Sequence, residues 1–226
     1  MKQTVDLKWA RLCVISDFYQ LLQRGLSAPD AELAEALSIG TFTNDCIAIL
    51  EDLGVSDRKI TALKAHLDVF QEKDPEALLR GMKLDYSALF FNPKSAPLTL
   101  YETAFYDQEE SLGTPLFVSQ TASIVENSYQ NAGMRIRERS QEPPDYLLTE
   151  LEFMMYLYAK QAKAVYEEQD QETADIGSLI DAFERDHIYR WVEETLSEMM
   201  NLSRQSPYYS IAYAGCTGLR AMRRAR

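Results

Sequence analysis

Apolar side chains recur along this chain with the period of an α-helix almost from end to end. In residues 5–22 the apolar stripe consists of Leu12, Ile15, Phe18, Tyr19 and Leu22. Steps of three and four residues place such side chains on one face of a helix. The same spacing predicts further helices over residues 33–37, 42–53, 60–70, 75–90, 115–139, 145–168, 176–200 and 207–222. No run alternates with the period of a strand, so we expect an all-α fold, a single bundle of roughly ten helices.

Local signals predict several helix boundaries. Asp74 and Ser206 each precede a proline, which is the pattern of an N-cap followed by a first-turn residue with a fixed φ. Pro29 predicts a helix start in the same way. Residues 91–98, with two prolines, and the acidic residues 167–175 are typical of connections between helices.

Two consecutive prolines, Pro143 and Pro144, end whatever helix precedes them, because proline lacks an N–H and restricts the residue before it. Asp145 then falls in the first turn of the next helix, where a carboxylate is favourable. We expect either one helical domain over residues 1–226 or two halves, 1–140 and 145–226, joined by this loop.

The 226 residues include 35 acidic and 23 basic side chains, for a formal net charge of −12, and 46% are apolar. Such a surface repels phosphate backbones and anionic lipid, so we expect neither nucleic acid nor a membrane as partner. Basic peptides would be attracted; an acidic surplus that only keeps the protein soluble is the alternative. The first eight residues lack the apolar core of a signal peptide, and no apolar run spans a bilayer, which predicts a cytoplasmic location.

Residue types that perform catalysis are sparse. The three cysteines are far apart and form no C-x-x-C pair, and neither His66 nor His187 has a second metal-ligand type at suitable spacing. The glycine motifs that bind nucleotides and the H-E-x-x-H motif are absent. We therefore expect no catalytic residue, no metal and no cofactor. An enzyme of metal or phosphate chemistry, built around Asp186 and His187, is an alternative.

One aromatic cluster is a candidate for binding. Tyr86, Leu89 and Phe90 fall on one helical face before the proline loop, and further aromatic residues follow at 101–106. An apolar groove rimmed by carboxylates suits a peptide that has an apolar stretch beside basic residues. Ordinary core packing explains the same spacing.

Three segments resemble, in order, the TorD/DmsD/NarJ group of redox-enzyme maturation chaperones. Residues 86–90, followed by Pro97 and by Tyr101-Glu102, are similar to the family's Y-x-x-L-F…P…Y-E segment. Residues 142–154, E-P-P-D-Y-L-L-T-E-L-E-F-M, resemble its E-P-P-D-H-L…E-L-x-F-M segment. Residues 183–191, F-E-R-D-H-I-Y-R-W, resemble its F…x-E-H-L…W segment. With the matching length, the likeness covers residues 10–220.

The resemblance implies an all-helical chaperone without enzymatic activity. Such proteins bind the twin-arginine signal peptide, or the apo form, of a molybdopterin oxidoreductase of the dimethyl-sulfoxide-reductase type. They assist cofactor insertion in the cytoplasm and delay export. The candidate peptide-binding residues are Tyr86, Leu89, Phe90, Tyr101, Glu102, Pro143, Asp145, Tyr146, Glu150 and His187. The expected assembly is a monomer, or a dimer that exchanges helices across residues 141–144. A helical adaptor or regulator with the same fold and another protein partner is the alternative function.

Two positions depart from the family pattern. Tyr146 stands where the family usually has histidine, and a tyrosine cannot acquire positive charge near neutral pH. Asp186 stands where the family favours glutamate. The first change removes any proton-sensitive contact at that position.

Overall fold

The computed structural model describes residues 2–91, 96–110, 118–134 and 142–225. In chain order the helices are α1 (Lys2–Leu26), α2 (Ala31–Ile39), α3 (Thr41–Asp52), α4 (Asp57–Asp68), α5 (Pro75–Phe90), α6 (Glu102–Glu110), α7 (Val118–Asn131), α8 (Leu147–Tyr166), α9 (Asp170–Phe183), α10 (Tyr189–Leu202) and α11 (Pro207–Arg224). A π turn, Glu184–Ile188, joins α9 to α10. The described residues contain no strand, so the prediction of an all-α fold is confirmed.

The chain divides into two compact units, each built from two stretches of sequence. The first unit comprises Met1–Ser16 and Thr99–Val192, and the second comprises Asp17–Leu98 and Glu193–Arg226. Two of the boundaries fall inside α1 and α10, so each of these helices contributes to both units. The choice between a single domain and the halves 1–140 and 145–226 stays a prediction.

The first unit has an aromatic core between its helices. In it α6 packs against α7, and α8 packs against α9. Phe153 of α8 lies between Tyr129 of α7 and Phe183 of α9, with ring centroids 4.6 Å and 4.8 Å away. Trp191 of α10 is fully buried and contacts the ring of Phe105. These rings bring five helices of the first unit, α6 to α10, into contact around one aromatic core.

The second unit is a helical cluster in which α2 packs on α3 and α5, and α4 packs on α3 and α11. The two predicted caps are confirmed there. Asp74 accepts a hydrogen bond from the N–H of Ala77 at 2.9 Å, and Ser206 accepts one from Tyr208 at 3.4 Å. Each cap stands directly before a first-turn proline.

Several predicted boundaries are wrong. Helix α2 begins at Ala31 rather than at Pro29, and Asp30 is its N-cap, because the Asp30 carboxylate accepts the N–H of Leu33 at 2.9 Å. The acidic residues 167–175 are mostly helical: α9 begins at Asp170, and the chain turns at Glu168, whose φ is 57°. Acidic side chains favour a helix N-terminus, so this stretch starts a helix as readily as it links two.

Further differences concern helix number and length. The helix predicted over residues 115–139 ends at Asn131, and Gly133 follows with a φ of 80°, a conformation that glycine adopts without strain. Residues 115–117 and 135–139 lie outside the described part of the chain, as do residues 92–95 of the predicted loop. The helix α6 was not predicted. The helix predicted over 176–200 is divided by the π turn.

Two further observations limit the chemistry. Within the described ranges no single helix is long and apolar enough to cross a membrane; α2 and α3 together pass that test by length and composition, but they are bent by 75°. Cys13, Cys46 and Cys216 form no disulfide with one another, and the described residues include no cluster of three potential metal ligands.

Candidate functional site

A short pairing of two loops begins the candidate site. Tyr101 and Tyr146 form an isolated antiparallel bridge, and their ring centroids lie 5.3 Å apart. The N–H of Glu102 donates to the carbonyl of Asp145 at 3.0 Å. Two of the family-like segments, separated by some forty positions in sequence, therefore form one local structure in the first unit.

Two hydroxyl groups hold the proline loop against this bridge. The Tyr129 hydroxyl donates to the carbonyl of Pro144 at 2.8 Å, and the Tyr101 hydroxyl donates to Glu142 at 2.6 Å. Burial, followed by the hydrogen bond to Glu142, raises the pKa of Tyr101, which keeps its hydroxyl protonated as a donor. The loop is thus fixed at its start and its end, while Pro143 between them is exposed.

Asp145 caps α6 rather than its own helix. Helix α8 begins at Leu147 with Tyr146 as its N-cap, so the prediction of Asp145 in the first turn of α8 is wrong. The buried carboxylate of Asp145 instead accepts the N–H of Thr103 at 3.0 Å and also its hydroxyl. An N-cap satisfies an N–H group that the first turn leaves unpaired, and here the capping side chain comes from a distant part of the chain.

Replacing Asp145 by alanine should lower the free energy of unfolding by about 2 kcal/mol, because two buried donors on Thr103 lose their acceptor. Asp145→Asn keeps one acceptor oxygen and should lose less. Asp74→Ala removes an exposed cap of the same residue type and should cost about 1 kcal/mol. Urea titration followed by circular dichroism measures all three. A loss for Asp145→Ala no greater than that for Asp74→Ala would contradict the capping role.

A buried pair of side chains lies at the start of α6. The Nδ1 atom of His187 is 2.8 Å from Oε2 of Glu102, and the two residues are 7% and 1% exposed. The imidazole also contacts the ring of Phe183, with centroids 4.6 Å apart. Glu102 and His187 are 85 positions apart in sequence. The pair becomes an ion pair when the imidazole is protonated.

The π turn places His187. Its first residue, Glu184, is fully buried and accepts the hydroxyls of Tyr158 at 2.7 Å and Tyr189 at 2.8 Å. A π turn adds one residue to a helical turn and occurs most often at functional sites. The extra residue changes the direction in which the following side chains point, and His187 thereby reaches α6.

Glu150 is the most unusual group of the site. It is fully buried, and among the described residues neither carboxyl oxygen accepts a hydrogen bond of normal geometry, although the indole N–H of Trp191, itself without a partner, faces them. Burial raises the pKa of Glu150 well above its usual value, and the nearby Glu102 and Asp145 raise it further. The indole of Trp191 opposes that rise. These surroundings favour the protonated form of Glu150, and a protonated carboxyl is able to donate to Glu102 beside it.

A cavity of about 650 Å³ lies beside the Glu102–His187 pair, entirely within the first unit. The apolar residues that line it are Ile124, Phe153, Leu179, Ala182 and Phe183. The charged residues that line it are Glu102, Asp186, His187 and Arg190. The guanidinium carbon of Arg190 is 5.1 Å from the ring centroid of Tyr106, a cation–π contact at the cavity wall. This combination of an apolar wall and a few polar groups is typical of a ligand-binding pocket.

A comparison with protein families identifies the class of the molecule. A family model described as nitrate reductase delta subunit matches residues 55–197, which is more than half of the chain. The chain belongs to this family. It is a family of redox-enzyme maturation chaperones of the TorD/NarJ type, so the resemblance carried by the three segments is confirmed. No curated protein matches the chain.

The delta-subunit family consists of molybdoenzyme assembly chaperones rather than catalysts, and it implies a molybdoenzyme catalytic subunit as partner. The matched range includes the bridge, the π turn and every residue that lines the cavity. In this delta-subunit chaperone the candidate site is thus built from the part of the chain that carries the family pattern.

The structure of this family member brings together seven of the ten candidate residues. In the first unit these are Tyr101, Glu102, Pro143, Asp145, Tyr146, Glu150 and His187. The other three belong to the second unit, where Tyr86 and Leu89 are buried and Phe90 is half-buried. The ring of Tyr86 contacts Phe90 and Tyr208 there, as core packing would. A peptide-binding role for all ten residues stays a prediction.

Several residues of the delta-subunit site were not predicted. Ile124, Phe153 and Arg190 line the cavity, and Trp191 faces Glu150. Phe153 and Trp191 occur in the family-like segments, so the resemblance could have indicated them as candidate site residues. Ile124 lies in α7, outside those segments, and its spacing alone does not distinguish a cavity wall from an ordinary helix face.

Proposed function

We propose that this chain is a cytoplasmic chaperone that binds the twin-arginine leader, or the apo form, of a molybdopterin oxidoreductase of the dimethyl-sulfoxide-reductase type. In this role it assists cofactor insertion and delays export of the client. The observation that carries the proposal is the cavity of the first unit, which combines an apolar wall with buried and rim carboxylates.

The apolar wall suits the apolar stretch of a leader. Phe153 and Phe183 are buried at the base of the cavity, whereas Ile124 is 55% exposed at its edge. A peptide side chain that covers Ile124 removes apolar surface from water, and burial stabilises by about 25 cal/mol per Å² before ordering costs. Because Ile124 is exposed, replacing it should disturb the folding of the free protein less than replacing a buried residue of the wall.

The carboxylates suit the arginines of a leader. Glu102 lines the cavity, and Asp186 stands at its exposed side, where it pairs with Arg185 at 2.6 Å. An arginine binds a carboxylate through two parallel N–H groups, which a lysine cannot reproduce. The formal net charge of −12 attracts a basic segment over longer distances. A flexible leader must be ordered on binding, so we expect a dissociation constant on the order of micromolar.

Calorimetric titration tests the proposal. The ligand is a synthetic leader peptide of a molybdoenzyme whose gene lies near the gene of this chaperone. The wild type should bind the twin-arginine peptide and bind a twin-lysine version several-fold more weakly. Ile124→Asp should weaken binding by about tenfold or more, because a charge then replaces the apolar wall. Ile39→Asp is the matched control, since Ile39 is also exposed, at 65%, but belongs to the second unit.

Equal affinities for Ile124→Asp and Ile39→Asp would show that the leader does not use this cavity. Absence of binding to a folded wild type would rule out the leader mechanism. The apo catalytic subunit should then be tried as the ligand, and failure there would favour a helical adaptor with another protein partner.

A further inference from the structure

Three carboxyl groups meet in the interior of the first unit beside the cavity. Asp145 is satisfied by the N–H and hydroxyl of Thr103, and Glu102 by His187. Glu150 is fully buried and, among the described residues, accepts no hydrogen bond of normal geometry; the indole N–H of Trp191 faces it but is itself without a partner. An ionised carboxylate without a partner in the protein interior is costly, so the buried position of Glu150 favours its protonated form.

The groups that act on Glu150 come from several elements of the first unit. They are Glu102 of α6, Tyr129 of α7, Asp145 of the proline loop and Trp191 of α10, with His187 of the π turn behind Glu102. No lysine or arginine is among these groups, but Arg190 and Asp186 line the same cavity as Glu102. Glu102 lines the cavity and also neighbours Glu150. A ligand that enters the cavity and contacts Glu102 is therefore close enough to affect Glu150.

We propose that the buried Glu102–Glu150 pair gives up its proton when an arginine of the leader enters the cavity, so that leader binding strengthens as the pH rises. This inference rests on the proposed function. It adds a proton to the binding reaction and assigns that proton to one pair of side chains.

The balance of charges explains the release. In the free protein burial and the neighbouring carboxylates favour a proton on Glu150. A guanidinium that pairs with Glu102 favours the ionised form of both carboxyls, because an opposite charge nearby stabilises a carboxylate. The proton passes from Glu150 to Glu102 and from there to the solvent in the cavity. The guanidinium then takes the place of the proton as the positive charge that compensates the pair.

Leader binding and proton release are linked, so each must change with the other. Release of one proton strengthens binding up to about tenfold per pH unit. Calorimetric titration of the folded protein with the twin-arginine leader at pH 7, once in phosphate and once in Tris, measures the number of protons released. The two buffers take up protons with different heats, so the difference between the two measured binding heats gives that number. We expect between about half and one proton released per peptide in the wild type.

Two variants identify the source of the proton. Glu150→Gln keeps the shape of the side chain but carries no acidic proton. The heat of leader binding to this variant should therefore be the same in both buffers, and its affinity for the leader should not change with pH. His187→Gln should still release the proton. Release that persists in Glu150→Gln and vanishes in His187→Gln would overturn the assignment to the carboxyl pair.

An infrared measurement separates failure of this inference from failure of the proposed function. The free wild type should show the carbonyl band of a protonated carboxylic acid at neutral pH, and Glu150→Gln should lack it. Leader binding with equal heats in both buffers would overturn only the proton linkage. A wild type that shows the band but does not bind the leader would overturn both the proposed function and the linkage that depends on it.

Discussion

Replacing Glu150 by glutamine should make the protein more stable at neutral pH, by an amount that grows as the pH rises. The pKa of Glu150 is raised in the folded state by burial and by the carboxylates of Glu102 and Asp145. In the unfolded chain the same group ionises near its ordinary pKa of about 4.3. Above that pH the unfolded state releases a proton that the folded state keeps, so the wild type loses stability as the pH rises.

The expected size follows from proton linkage. One such group changes the free energy of unfolding by up to about 1.4 kcal/mol per pH unit, or about 3 kcal/mol over two units above pH 5. Glu150→Gln has no proton to lose, and its amide N–H donates to Glu102 as the protonated carboxyl does. At a pH below the pKa that Glu150 has in the unfolded chain, the wild type and Glu150→Gln should have similar stability, because both then carry an uncharged side chain at this position.

Urea denaturation of wild type and Glu150→Gln at several pH values measures the difference in slope. Glu152→Gln changes the same residue type at an exposed position of α8 and should keep the pH dependence of the wild type. A stability difference between wild type and Glu150→Gln that stays constant from acid to neutral pH would mean that Glu150 is ionised in the folded protein.

Replacing Gly218 by alanine should be the most destabilising single-methyl change in the second unit. A Cβ atom at this position would lie 2.1 Å from the Cε2 atom of Phe18, far inside van der Waals contact. Phe18 is 1% exposed, so its ring has no room to withdraw. Overpacking of a core typically costs about 1–3 kcal/mol, and here the whole ring edge must move, so we expect about 3 kcal/mol or more.

Gly81→Ala is the matched control for that change. Gly81 is also inside a helix, in α5, but a Cβ atom there would meet nothing within 4 Å. Alanine is the better helix former, so Gly81→Ala should stabilise by about 1 kcal/mol. Urea denaturation measures both variants. The double change Gly218→Ala with Phe18→Leu should recover part of the loss, and its failure to do so would locate the strain elsewhere.

Local signals in the sequence predicted much of the fold correctly. The periodic apolar stripe of residues 5–22 is buried, and both predicted caps that precede a proline are present. These features depend on neighbours within a turn or two, so the sequence specifies them directly. The three family-like segments likewise led to the right family, because they are contiguous patterns. The helix α6 was missed, since its short sequence has few apolar positions in a helical period.

The roles of individual side chains were decided only by the tertiary structure. Asp145 was assigned to its own helix, but it caps α6 through a residue 42 positions away. Glu102 and His187 meet across 85 positions, and Glu150 shares their site because α8 is covered on that face. Such contacts depend on how helices pack after distant segments have come together, and helical spacing carries no information about which faces will meet. The sequence by itself determined the helices, the acidic charge and the family. The packing of those helices decided which carboxyl caps a helix, which pairs with histidine and which is buried without a hydrogen bond of normal geometry.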